Sequence, residues 1–166
     1  MPDVKTALAT TLIEGQLVDA TNAEVESRVN EEASAEIPFG RMVKEGTADK
    51  ENGALLMAAQ ADIPAGIVVH SHRYSKDAEL GSTGLKPNVT MSILRRGVIA
   101  VKVTEAVTTA SPVKYNEAGG TFGDSAVANE TVDISSFARY MRDGAINEVI
   151  PLEIDMRARA SRTLDT

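Results

Sequence analysis

The chain reads as an all-β protein, an antiparallel β-barrel or jelly-roll-like sandwich with long loops and an extended N-terminal arm. Two observations predict this: apolar residues recur with a period of two over much of the chain, and glycine and proline punctuate them at short intervals. No apolar run approaches the ~20 residues of a membrane-spanning helix, so the chain is expected to be soluble and not to span a membrane. With 166 residues, a single domain can bury roughly 70% of the surface that its unfolded chain exposes.

The elements follow in order. In Ile37-Pro-Phe-Gly-Arg-Met-Val43, Pro38 and Gly40 restrict the backbone around Phe39 before an extended run begins. Gly53 to Gln60 sets Leu55, Met57 and Ala59 on one strand face, although its Ala and Leu content also suits a helical turn. Ile67-Val-Val-His-Ser-His72 is a β-branched run introduced by Pro64 and Gly66. Residues 73–88, with Gly81, Gly84 and Pro87, read as a long loop. The clearest signal is Val89 to Val103, where Val89, Met91 and Ile93 alternate with Thr90 and Ser92, and Ile99, Val101 and Val103 alternate with Ala100 and Lys102. These two arms around Arg95-Arg96-Gly97 predict a β-hairpin with one apolar and one wet face. A turn at Ser111-Pro112 leads to a short strand presenting Val113 and Tyr115, and Gly119, Gly120 and Gly123 make a turn around Phe122. Residues 134–142 fit a helical stripe (Ile134, Phe137, Ala138, Met141) as well as a strand face (Phe137, Arg139, Met141). Leu152-Glu-Ile-Asp-Met156 is the last strand, with Pro151 suiting its start or an edge.

Charge divides the chain unevenly. Residues 1–36 hold eight acids against two bases, a net of -6, whereas the remaining 130 residues contribute -1 to the total of -7. The segment 1–24 is expected to be an acidic arm that docks on a partner surface or stays solvated. Residues 157–166, with Arg157, Arg159 and Arg162, form a basic tail, either a contact strap or plain disorder. Nucleic acid is a poor partner for this balance, because phosphate binding needs a basic face and base stacking needs aromatics, of which there are three Phe, three Tyr and no Trp. Zero cysteines remove disulfides, thiolate metal sites and thiol catalysis together. The opening residues show no charged and apolar signal pattern, so the expected compartment is cytosolic.

Catalytic patterns are sparse. Gly123-Asp-Ser-Ala-Val127 lacks the second glycine of a nucleophile elbow and reads as a polar turn. Acid pairs such as Glu31-Glu32 are commonplace in a chain with 24 acids. The enzymatic rival rests on His70 and His72, the only histidines, whose His-x-His spacing suits a metal and resembles the opening of the cupin signature. The nearest matching acid, Glu79, stands six residues beyond His72, and a third histidine is lacking. The expectation is therefore no cofactor and no catalytic residue, with a His70–His72 metalloprotein as the alternative.

Four blocks then come in a telling order: Glu36-Ile-Pro-Phe-Gly-Arg-Met-Val43, Gly66-Ile-Val-Val-His-Ser-His-Arg-Tyr74, Ser92-Ile-Leu-Arg-Arg-Gly-Val-Ile-Ala-Val101 and Glu105-Ala-Val-Thr-Thr-Ala-Ser-Pro-Val-Lys-Tyr115. Together they resemble the capsid cement (decoration) proteins of tailed bacteriophages, over roughly residues 25–156. The resemblance implies a small β-rich homo-oligomer, dimer or trimer, that binds the outer surface of an icosahedral capsid. There it would bridge major capsid protein subunits without chemistry, after residence in the host cytoplasm during assembly. On that reading Phe39, Arg41, Arg95 and Arg96 are the expected contact residues; otherwise Phe39 is core and the arginines cap a solvated tip.

Overall fold

In the computed structural model, which describes residues 11–157 and 163–164, the two longest strands are β1 (Leu17–Asn30) and β5 (Thr90–Lys102), paired antiparallel. Between them in sequence lie β2 (Met42–Glu45), β3 (Gly53–Leu56) and β4 (Pro64–Val68). Their order is β1-β3-β2-β4-β5, and the β1–β5 pairing closes these five strands into a ring. Closure removes most free sheet edges. One seam, β1 against β3, is parallel; the others are antiparallel.

The rest of the chain builds outward from β5. Its second half pairs with β10 (Val149–Asp155), which pairs with β9 (Ala138–Tyr140). A second sheet holds β6 (Lys114–Asn116), β7 (Thr121–Gly123), β8 (Thr131–Asp133) and β11 (Thr163–Leu164) in the order β11-β8-β6-β7.

Two apolar clusters follow from this layering. Val43, Val68, Met91 and Ile93 pack with Ile37, Tyr74 and Leu85 in one. Their chain neighbours Met42, Ile67 and Leu94 point the other way, toward Tyr115, Phe122, Ile134, Leu152 and Ile154. Side chains on a strand alternate between faces, so a wall between two cores must be apolar on both, and β4 is buried at all five positions.

The structure corrects several expectations. Val89 to Val103 is not a hairpin, because β5 runs unbroken through Arg95-Arg96-Gly97. A two-residue hairpin turn needs positive φ at its central positions or its first one, and of these three residues only Gly97 has it, at 132°. The partners explain the continuity. β1 follows β5 along its length, while β4 holds the opposite edge at Ile93 and Leu94 and β10 takes that edge over from Arg96 to Lys102. The run at Ile67 starts earlier, at Pro64, and ends at Val68, before both histidines; Pro64 is tolerated as the first residue of a strand. The run at Gly53 stops at Leu56, because the Ala58 and Ala59 N–H groups turn to the Asp62 carboxylate. Residues 138–140 of the ambiguous segment are strand. The boundary expected between arm and domain at residue 24 falls inside β1, and residues 1–10 lie outside the described residues, as do Arg159 and Arg162 of the tail.

Candidate functional site

The expected contact residues sit in two places. Phe39 lies on the loop entering β2, half-buried, with its ring edge-on to His70 at 4.7 Å and tilted against Tyr74 at 5.9 Å. The loop is held by a crossing of two glycines in the left-handed region, Gly15 (φ 82°) and Gly40 (φ 76°). A Cβ on Gly15 would stand 2.8 Å from the Gly40 nitrogen, and one on Gly40 would stand 2.5 Å from Glu14 Cγ, so only glycine fits both strands of the crossing. Hydrogen bonds from Gly15 N–H to Ala100 and from His70 N–H to the Gly15 carbonyl pin the N-terminal segment there.

Arg41 leaves the same junction and donates to the Gly119 carbonyl, tying the ring to the β6–β7 turn. Beside it, burial pushes the Glu14 carboxyl above its ordinary range against the opposing pull of Arg41 and Lys102. Below it the Tyr115 hydroxyl donates to the Met42 carbonyl at 3.4 Å and is pushed up to about 12 by burial. Arg41 is thus a strut as well as a surface cation.

Arg95 and Arg96 lie where β5 changes partner. Arg95 Nη1 meets Glu26 Oε2 at 2.9 Å, and the other Glu26 oxygen is taken by Arg28. Arg96 Nε stands 3.7 Å from Asp155, whose carboxyl is held at about 2, chiefly by the hydrogen bond from Arg157. No hydrogen bond, ion pair or ring contact joins this pair to Phe39 and Arg41 among the described residues.

The histidines lie just past β4 with ring centroids 4.8 Å apart. Burial, and then the neighbouring His72, lowers the His70 pKa. Glu79 accepts the Ser75 N–H at 2.8 Å, and among the described residues no group of three His, Asp or Glu side chains stands close enough to hold a metal. In the polar turn, the Asp124 and Ser125 N–H groups donate to Glu105, and the Ser125 hydroxyl is bound to the same carboxylate.

Sequence reasoning missed a set of carboxylates that pin loops. Glu31 accepts the N–H groups of Thr47, Ala48 and Asp49. Glu36 accepts those of Ser82, Thr83 and Gly84 together with the Thr83 hydroxyl, which holds its pKa at about 2. Each clamp joins residues 16 to 48 positions apart, and no local motif announces it.

What these parts define, among the described residues, is an all-β protein whose surface carries pinned loops, struts and ion pairs. The chain belongs to the structural cement protein family (E217 gp24/Pam3 gp6), whose model matches residues 4–155. Its fold is shared by a chain in the capsid of Myoviridae Phage XM1, with a TM-score of 0.64 and 15% identity over 87% of this chain and 91% of that one. No curated protein matches the sequence.

Proposed function

We propose that this protein is a capsid cement subunit that binds the outer surface of an icosahedral phage capsid and fastens neighbouring major capsid protein subunits by contact alone. The observation that carries this reading is the family match, which spans the ring, β9 and β10. The physics supports it: once one contact is made, a second on an adjacent subunit forms at high effective concentration, so a two-sided binder resists separation of the subunits. Self-association as a homo-oligomer multiplies such contacts. Nucleic acid, membrane, cofactor and catalysis have no part in the proposal, and the protein's place is the virion exterior, with the host cytoplasm as its assembly compartment.

Within this proposal the exposed rim of Phe39 and the guanidinium groups of Arg41, Arg95 and Arg96 contribute to capsid or subunit contact. Cosedimentation with expanded capsids of the virus that encodes it tests the reading. Saturable binding at a fixed ratio to the major capsid protein is expected; protein that stays in the supernatant at every concentration would falsify it.

A further inference from the structure

Asn52-Gly53 is the one Asn-Gly pair in the chain, and the fold holds it at the parallel seam of the ring. Gly53 begins β3 opposite Val29 of β1, and the Val29 N–H donates to the Asn52 carbonyl at 2.6 Å. The pair carries a chemical liability. A main-chain nitrogen can attack the side-chain amide carbon of the asparagine before it, and glycine obstructs that approach least because it lacks a Cβ.

The fold demands both residues. A Cβ on Gly53 would overlap the Glu31 carboxylate, which is not free to swing aside because it accepts the Thr47, Ala48 and Asp49 N–H groups. Asn52 is exposed, yet its Nδ2 donates to Asp49 Oδ2 at 2.9 Å and its N–H donates to Asp49 Oδ1 at 3.0 Å. Asp49 also occupies the nucleophile, since its carbonyl accepts the N–H of the buried Gly53 at 2.8 Å. The Gly53 carbonyl is held in turn by the Gly46 N–H and by Arg28 Nη1. The side-chain amide, the attacking nitrogen and the carbonyls of both residues are therefore fixed, and a cyclic imide can close only when the turn opens.

We infer that Asn52 is a latent modification site, at which Asp49 and Glu31 guard the β1–β3 seam against spontaneous conversion of the asparagine to aspartate and isoaspartate. When the turn opens, the Gly53 nitrogen gives up its proton and bonds to Asn52 Cγ; the Cγ–Nδ2 bond breaks, and ammonia leaves with that proton. Water then opens the cyclic imide at either carbonyl. One product puts a carboxylate where Nδ2 donated to Asp49, setting acceptor against acceptor. The other routes the main chain through Cγ, so the carbonyl that accepts the Val29 N–H leaves the backbone as a free carboxylate. Both loosen the seam. The inference is independent of capsid binding, and its test needs no capsid.

Full-length protein is held at mildly alkaline pH, native and in urea, and conversion of Asn52 is followed by peptide mass mapping, with enzymatic methylation reporting isoaspartate. Conversion in the native protein is expected to be at least tenfold slower than in urea, because it must wait for local opening. Asp49→Ala is expected to raise the native rate at least tenfold while circular dichroism stays native. Glu31→Gln, which leaves Asp49 in place and loosens the amides before it, should raise the rate at least threefold, so that if one variant fails to fold the other still decides. Asn52→Asp should speed hydrogen exchange at the Val29 amide at least fivefold. Native conversion as fast as in urea, a rate that no folded variant raises, or a Val29 amide indifferent to Asn52→Asp overturns the inference.

Discussion

At the residue scale, this protein uses its acids to hold backbone. Glu31, Glu36 and Glu105 each accept two or more loop N–H groups, and such charge-assisted bonds favour the ionised carboxylate. Glu36 has a folded pKa of about 2 against an ordinary 4.5. Because the folded value is the lower one, its contribution is complete above about 4.5 and is lost as pH falls toward 2. Glu36→Gln is expected to speed hydrogen exchange at the Ser82, Thr83 and Gly84 amides and to flatten the drop in melting temperature between pH 5 and 2; unchanged exchange would remove the clamp. Gly15→Ala forces a Cβ against the Gly40 backbone in a conformation that L residues avoid, and a loss of about 1–3 kcal/mol in denaturant unfolding is expected. Gly40 stood out in the sequence beside Pro38 and Phe39. Its crossing partner Gly15 did not, because two glycines 25 positions apart show no periodicity.

At the element scale, β5 is the shared wall of both cores, and its alternation was readable while its continuity was not. Met91 and Ile93 share a face, as do Ile99, Val101 and Val103, but the two sets belong to different clusters. Gly97 marks the point where β5 passes from β4 to β10. Gly97→Val should cost about 1–3 kcal/mol, because φ 132° is closed to a β-branched residue. Leu94→Ala, which empties a fully buried site on the outer face, should cost about 2–5 kcal/mol. Chemical denaturation of both variants checks the pair, and a neutral Gly97→Val would mean that the strand reaches the same path without a left-handed residue.

At the scale of the molecule, part of the acidic segment is built into the domain: Leu17 to Glu24 belongs to the strand that closes the ring. Deleting residues 1–10 is expected to leave melting within a few degrees of the full chain and to weaken capsid cosedimentation. Deleting residues 1–24 removes the Gly15 pins and the Leu17–Ile99 pairing as well, and a large fall in melting temperature is expected. Equal melting of the two truncations would show that the ring closes without them.

Taken by itself, the sequence determined the all-β class, the alternating faces of the central run and the order of blocks that resembles cement proteins. The class and the faces reside in local periodicity, which one strand's residues express without their neighbours; the resemblance resides in the order of the blocks along the chain. Only the tertiary structure decided that Arg95-Arg96-Gly97 lies inside one continuous strand, that the ring closes through β1, and that Arg41 struts two sheets. Each of these depends on which partner supplies a hydrogen bond, and that partner lies tens of residues away, where pattern carries no record of it.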